Sequence, residues 1–177
     1  MKADRGDGAT GAMKELLRAI RRGDPECVNG LLRADVELDW LDENACSPLF
    51  YAVYERYFDI ATKLLERGAN IEFPGRHGWT PLFWAAFNGY ADVAAFLIAH
   101  GADPNVATPE GDLPLILAAY KGYTEIVRLL LAGGARWEAV GPEGRNALWV
   151  ARARRHGEIV KLLEACSASE SPAPGHH

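Results

Sequence analysis

Cysteine is scarce in this 177-residue chain. Cys27, Cys46 and Cys166 form an odd, scattered set with no Cys-x-x-Cys spacing, which excludes a disulfide framework and fits a reducing compartment. Long apolar runs are missing as well. Residues 1–10 are polar and glycine-rich with no apolar signal core, and no later stretch is long enough to span a bilayer. The expectation is a cytoplasmic protein, with the nucleus also open, and no membrane partner. Basic excess is absent: the net charge is -5 and the pI near 5.5. A general polyanion binder needs a basic surface, so no nucleic-acid partner is expected, whereas a basic partner is compatible. Catalytic patterns are lacking too. His77, His100 and His156 are scattered without ligand spacing, and no Cys-His or Ser-His-Asp set can be nominated. The expectation is therefore no catalytic residue, no metal, no cofactor and no small-molecule substrate.

What the chain does have is a period. Ser47-Pro48-Leu49, Thr80-Pro81-Leu82, Leu113-Pro114-Leu115 and Asn146-Ala147-Leu148 each begin 33 residues after the last. Gly68-Ala69, Gly101-Ala102 and Gly134-Ala135 keep that step, as do Gly78, Gly111 and Gly144. A fixed period of this length means one supersecondary unit stacked on copies of itself. The glycines follow the period and not a phosphate-binding loop. Moved back one period, the pattern places Leu16 under Leu49, Ala19 under Ala52 and Gly23 under Gly89, a degenerate capping repeat. Fuller repeats follow at roughly 45–77, 78–110 and 111–143, and a short last one at 144–166. Residues 1–11 and 167–177 bury little and are expected to be disordered, leaving one domain over 12–166. His176-His177 reads equally as native sequence or as a tag remnant.

One repeat reads as two helices and a turn. Thr80 caps a helix and Pro81 suits its first position, where a missing N–H is no loss. Leu82, Ala85 and Ala86 give an apolar face of helical period. Gly89 ends that helix in left-handed geometry. Asp92 opens a second helix, where its charge favours the dipole. Val93, Phe96 and Leu97 form the inner face, and Gly101 closes it. Turn-rich stretches between repeats, such as Thr108-Pro109-Glu110-Gly111, read as short hairpin-like fingers. Leu82, Ala85, Leu97, Leu115, Ala118 and Leu130 recur at equivalent columns and are expected in the core.

Thr-Pro-Leu, Ala-Ala, Gly, an Ile/Val-Val pair, Leu-Leu and Gly-Ala in a 33-residue step resemble the ankyrin repeat. Thr80 to Ala86 and Glu125 to Ala135 are the closest segments, and the likeness covers residues 12–166. The resemblance implies an all-α solenoid of about five stacked helix-turn-helix units with fingers, the first and last capping. It also implies protein–protein recognition. The family usually has His after Thr-Pro-Leu; here the column holds Phe50, Phe83, Ile116 and Trp149, so apolar repacking replaces a polar staple. The glycine that ends the first helix becomes Arg56 and Arg155, which must then accept left-handed geometry.

In such stacks the partner usually meets the finger tips and the exposed side of the first helices. The column after Ala-Ala holds Arg21, Tyr54, Phe87, Tyr120 and Ala153, and the next holds Arg22, Glu55, Asn88, Lys121 and Arg154. The fingers add Cys46, Trp79, Asp112 and Arg145, with Asn44, His77, Glu110 and Glu143 at their tips. The candidate partner-binding set is thus Tyr54, His77, Trp79, Phe87, Asn88, Asp112, Tyr120, Lys121, Arg145 and Arg154. Exposed aromatics carry hot spots, so an aromatic stripe with charged ends on a concave surface is expected to bind a protein or peptide. The competing reading of the stripe is a packing ladder. Two other functions compete: a reader of a methyl-lysine-like basic tail, with Trp79, Phe87 and Tyr120 boxing the cation beside Glu110 and Asp112, and a scaffold segment of a larger assembly.

Overall fold

The computed structural model describes residues 6–34 and 36–169. These residues form α1 (Gly6–Arg21), α2 (Pro25–Leu31), α3 (Pro48–Tyr54), α4 (Phe58–Glu66), α5 (Pro81–Asn88), α6 (Ala91–Ala99), α7 (Pro114–Lys121), α8 (Thr124–Ala132), α9 (Ala147–Arg154) and α10 (Gly157–Ser169). Among the described residues the strand content is one isolated bridge, Val140 to Asn146. No helix there is long and apolar enough to cross a membrane.

Local chemistry explains where the helices start. Pro48 and Pro114 occupy the first turns of α3 and α7. The Ser47 hydroxyl accepts the Phe50 N–H at 3.1 Å, and the Asn146 carboxamide oxygen accepts the Trp149 N–H at 2.9 Å. Each satisfies an N–H that the helix leaves without a partner. Helix ends follow the period as well. Gly23, Arg56, Gly89, Gly122 and Arg155 stand 33 apart, and their φ values run from 61° to 80°. Arg56 and Arg155 therefore adopt the left-handed geometry that the other three take as glycine.

The chain divides into two compact units, one through Pro81 and one from Leu82. In the first, α1 packs on α2 and α3, α3 on α4, and α2 on α4. In the second, α7 packs on α8 and α9, α6 on α8, α9 on α10, and α8 on α10. Each unit thus contains a row of first helices and a row of second helices. Aromatic rings lock successive pairs. A side chain at Gly23 would collide with the Tyr57 ring, and one at Gly89 or Gly122 would collide with Tyr123 or His156. At these three positions glycine serves twice over, for the turn and for the ring that presses on it, whereas Arg56 and Arg155 take the same turn with a side chain.

Leu82, Ala85, Leu97, Leu115, Ala118 and Leu130 are all buried, as the columns require. Phe83 is buried too, whereas Phe50 and Ile116 are half-buried and Trp149 is exposed. Apolar repacking thus accounts for Phe83 but not for Trp149. Helix covers more of both ends than expected. α1 starts at Gly6, inside the 1–11 segment, because it propagates back from a buried turn at Leu16, Ala19 and Ile20. α10 runs to Ser169 from the buried Ile159 and Leu163. The remainder of the two expected disordered segments, 1–5 and 170–177, lies outside the described residues.

Two stability changes follow. Leu97→Ala or Leu130→Ala empties a fully buried site and is expected to cost about 2–5 kcal/mol in denaturant unfolding; melting like wild type would mean the inner face is misplaced. Arg155→Gly relieves a left-handed residue of about 1–2 kcal/mol of strain but frees the unfolded chain, for a net gain of roughly 0.5–1 kcal/mol. Arg155→Ala keeps the strain and is expected to show no such gain.

Candidate functional site

In the first unit the finger between α2 and α3 is organised by one carboxylate. Asp42 accepts the Tyr51 hydroxyl at 2.8 Å, the Asn44 N–H at 2.9 Å and the Cys46 N–H at 3.0 Å. This holds Ala45 at φ 57°, where the equivalent residues Gly78, Gly111 and Gly144 have no side chain to strain. Burial raises the Asp42 pKa, but the bonds from Cys46, Tyr51 and Asn44 together outweigh it and hold the carboxyl below its ordinary value. Burial, and then the charge of Asp42, push the Cys46 thiol up. Burial and the bond to Asp42 raise Tyr51, so its hydroxyl stays a donor. Cys46 and Asn44 are thus held by the turn that shapes the finger.

Of the other candidates of this unit, Tyr54 and His77 are exposed and Trp79 is half-buried. Tyr54, at the end of α3, is 47% exposed and stacks on Phe50 with centroids 6.2 Å apart. His77 is exposed with φ 63°, its ring 5.8 Å from that of the half-buried Trp79. Arg21 lies over the Tyr51 ring, 4.9 Å from its centroid.

The second unit brings the expected aromatic and charged columns together in an unexpected way. Lys121 Nζ sits 4.5 Å from the Phe87 centroid, and the Arg154 guanidinium 3.8 Å from that of Tyr120. Arg145 lies 4.2 Å over Trp149 and also pairs with Glu143 at 2.7 Å. The cations are therefore not charged ends flanking an aromatic stripe. They cover aromatic faces, through contacts that contribute about 0.5–1 kcal/mol each at exposed sites. Tyr120 and Trp149 nonetheless remain 48% and 50% exposed. Phe87 is half-buried. Asn88 turns back on its own helix, donating to the Trp84 carbonyl at 2.9 Å. Asp112 is exposed, and its backbone N–H is taken by the Thr108 hydroxyl at 3.2 Å. Of the cation-box residues, Phe87 and Tyr120 each give a face to the chain's own cation, which counts against a box for an external one.

Of these side chains Asp112, Tyr120, Arg145, Trp149 and Arg154 border a groove of about 620 Å³ between the last two fingers and the exposed sides of α7 and α9, whereas Phe87, Asn88 and Lys121 lie outside it. Ile116, Leu117, Tyr120, Trp149 and Ala153 give it apolar lining, and Glu110, Asp112, Arg145 and Arg154 line it with charge. Trp149 is the residue that column reasoning missed. It occupies the column read as inter-repeat packing, but no helix pair follows α10 among the described residues to cover it. Its position in the last repeat was the available signal. Among the described residues no cluster of three or more His, Cys, Asp or Glu side chains has the makings of a metal site.

Helix pairs, left-handed turns and fingers at a 33-residue step define a repeat protein built from equivalent columns. The chain matches the family model for ankyrin repeats (3 copies) over residues 16–108 and 100–170, and it belongs to the ankyrin-repeat family. Its fold is the all-α ankyrin-repeat solenoid. Ankyrin repeats are generally protein–protein interaction modules and are typically non-enzymatic. No curated protein matches the chain.

The Asp42 network gives a test by pH. A carboxyl whose folded pKa is depressed contributes stability above its unfolded value, near pH 4, and loses it as pH falls through the folded value. Tyr51→Phe removes one of the bonds that lower it. In an NMR titration the Asp42 carboxyl of that variant is expected to move back toward its ordinary value, and the acid limb of unfolding toward higher pH. An unmoved Asp42 would show that Tyr51 does not hold it.

Proposed function

We propose that this chain is a non-catalytic binding module that docks a protein or peptide partner through Tyr54, His77 and Trp79 of the first unit and Phe87, Asn88, Asp112, Tyr120, Lys121, Arg145 and Arg154 of the second. Trp149 joins that set. The observation that carries the reading is that Tyr54, Tyr120 and Trp149 keep about half their surface exposed on a family scaffold built for recognition. Exposed rings offer large contact area at low entropy cost and are enriched among hot spots. Short helices held by fixed caps leave little chain to order on docking. Lys121 and Arg154, laid over Phe87 and Tyr120, hold those rings in one orientation. The perturbed ionisable groups, Asp42, Cys46 and Tyr51, belong to one structural finger network, so they do not argue for catalysis.

The test compares binding with melting in the same variants. An affinity pull-down with the wild type and with a Tyr54→Ala, Phe87→Ala, Tyr120→Ala triple variant identifies the partner and challenges the surface together. Each of Phe87→Ala and Tyr120→Ala is expected to lower affinity for that partner by roughly 1–3 kcal/mol with a smaller loss of stability. Arg154→Glu is expected to slow association, less so as salt rises. Variants that lose stability while binding per folded molecule is unchanged would make the rings a packing ladder.

A further inference from the structure

The groove of the second unit has opposite charges at its two ends. At one end the finger before α7 carries Glu110 and Asp112, both exposed and both bordering the groove. Among the described residues neither carboxylate has an ion-pair or side-chain hydrogen-bond partner. At the other end Arg154 lies on the Tyr120 ring, and no carboxylate among the described residues pairs with it. Arg145 does not alter this balance, because Glu143 neutralises it at 2.7 Å. The charges left unmatched are thus two negative and one positive, with apolar surface from Ile116 and Trp149 also bordering the groove.

The spacing follows from α7. Asp112 stands two residues before its start, and Tyr120, which carries Arg154, is its next-to-last residue. Six steps of helix from Pro114 to Tyr120 rise about 9 Å at 1.5 Å each, and the two extended steps back to Asp112 bring the backbone span to roughly 11–16 Å. An extended chain covers that distance in three to five residues, at roughly 3.3 Å per residue. A wholly basic segment would meet Arg154, and a wholly acidic one would meet Glu110 and Asp112. Complementarity at both ends requires a ligand that carries both signs.

We propose that this groove takes a dipolar peptide segment of a partner protein: a Lys or Arg at the Glu110 and Asp112 end, an apolar side chain on Ile116 and Trp149, and an Asp or Glu at Arg154. The basic and acidic residues stand three to five positions apart. The inference rests on the binding-module reading and adds the chemistry of the partner. A ligand carboxylate at Arg154 meets a guanidinium already oriented by an aromatic face, so little side-chain freedom is lost on pairing.

The experiment pans a phage-displayed library of random linear heptapeptides on the full chain, on Arg154→Glu and on a Glu110→Lys, Asp112→Lys double variant. Both variants alter exposed side chains, and their melting curves confirm folding. The wild type is expected to enrich sequences with a basic residue, an apolar residue and an acidic residue in that spacing. The enriched peptide, synthesised and titrated, is expected to bind each variant about tenfold or more weakly. Arg154→Glu is expected to select a basic residue where the wild type selects an acidic one. An enriched consensus without the charge pair, or equal affinity for wild type and variants, overturns the proposal. So does the absence of any enriched peptide. That last result leaves the docking of a folded partner standing, which the pull-down measures separately, so the two readings fail by different observations.

Discussion

None of the helix pairs in this chain can hold itself together. Apart from α1 and α10, the helices are seven to nine residues long. Isolated helices of that length are marginal in water, since nucleation is unfavourable and few bonds follow it. Each helix is stable only because Leu, Val and Ala on one face are buried against the next pair. That constraint sets the rest. Neighbouring pairs must meet in the same way each time, so the residues at the meeting points recur at one step. It also explains the alanines: Ala52, Ala85, Ala118 and Ala151 are all fully buried, where a larger side chain would push neighbouring helices apart.

The same constraint leaves the solvent side of the first helices free to vary. Core columns repeat leucine or alanine with little change, while the columns after Ala-Ala hold aromatic, acidic, amide and basic residues in turn. Variation there is cheap for the fold, so these positions can carry recognition. The cation–aromatic pairs of the second unit show how an exposed ring is kept in place without burial. Lys121 and Arg154 lay charge and methylene stem over Phe87 and Tyr120, shielding apolar surface while their own groups face water.

Most of the fold was legible because periodicity is a property of sequence. The 33-residue step placed the helices, the left-handed ends and the core columns, down to Arg56 and Arg155 accepting a glycine's geometry. What the step does not encode is how neighbouring columns touch. Phe87 and Lys121, like Tyr120 and Arg154, stand 34 residues apart, one period plus one. A search for aromatic and basic residues at that offset would have found both pairs; reading each column alone separated them into a stripe and two charged ends. The glycine and aromatic partners Gly89 with Tyr123 and Gly122 with His156 share that offset. Residues one period plus one apart are therefore the ones that meet across first-helix ends, and the column rule has to be read diagonally.

Trp149 marks the limit of periodic reasoning. Its column buries Phe83, half-buries Phe50 and Ile116, and leaves the Trp149 indole half exposed. A period describes an interior repeat, whose two neighbours are copies of itself. Among the described residues no helix pair packs beyond α10, so Trp149 meets no following copy there. Arg145, steered by Glu143, covers one face of that indole and leaves the rest toward the groove.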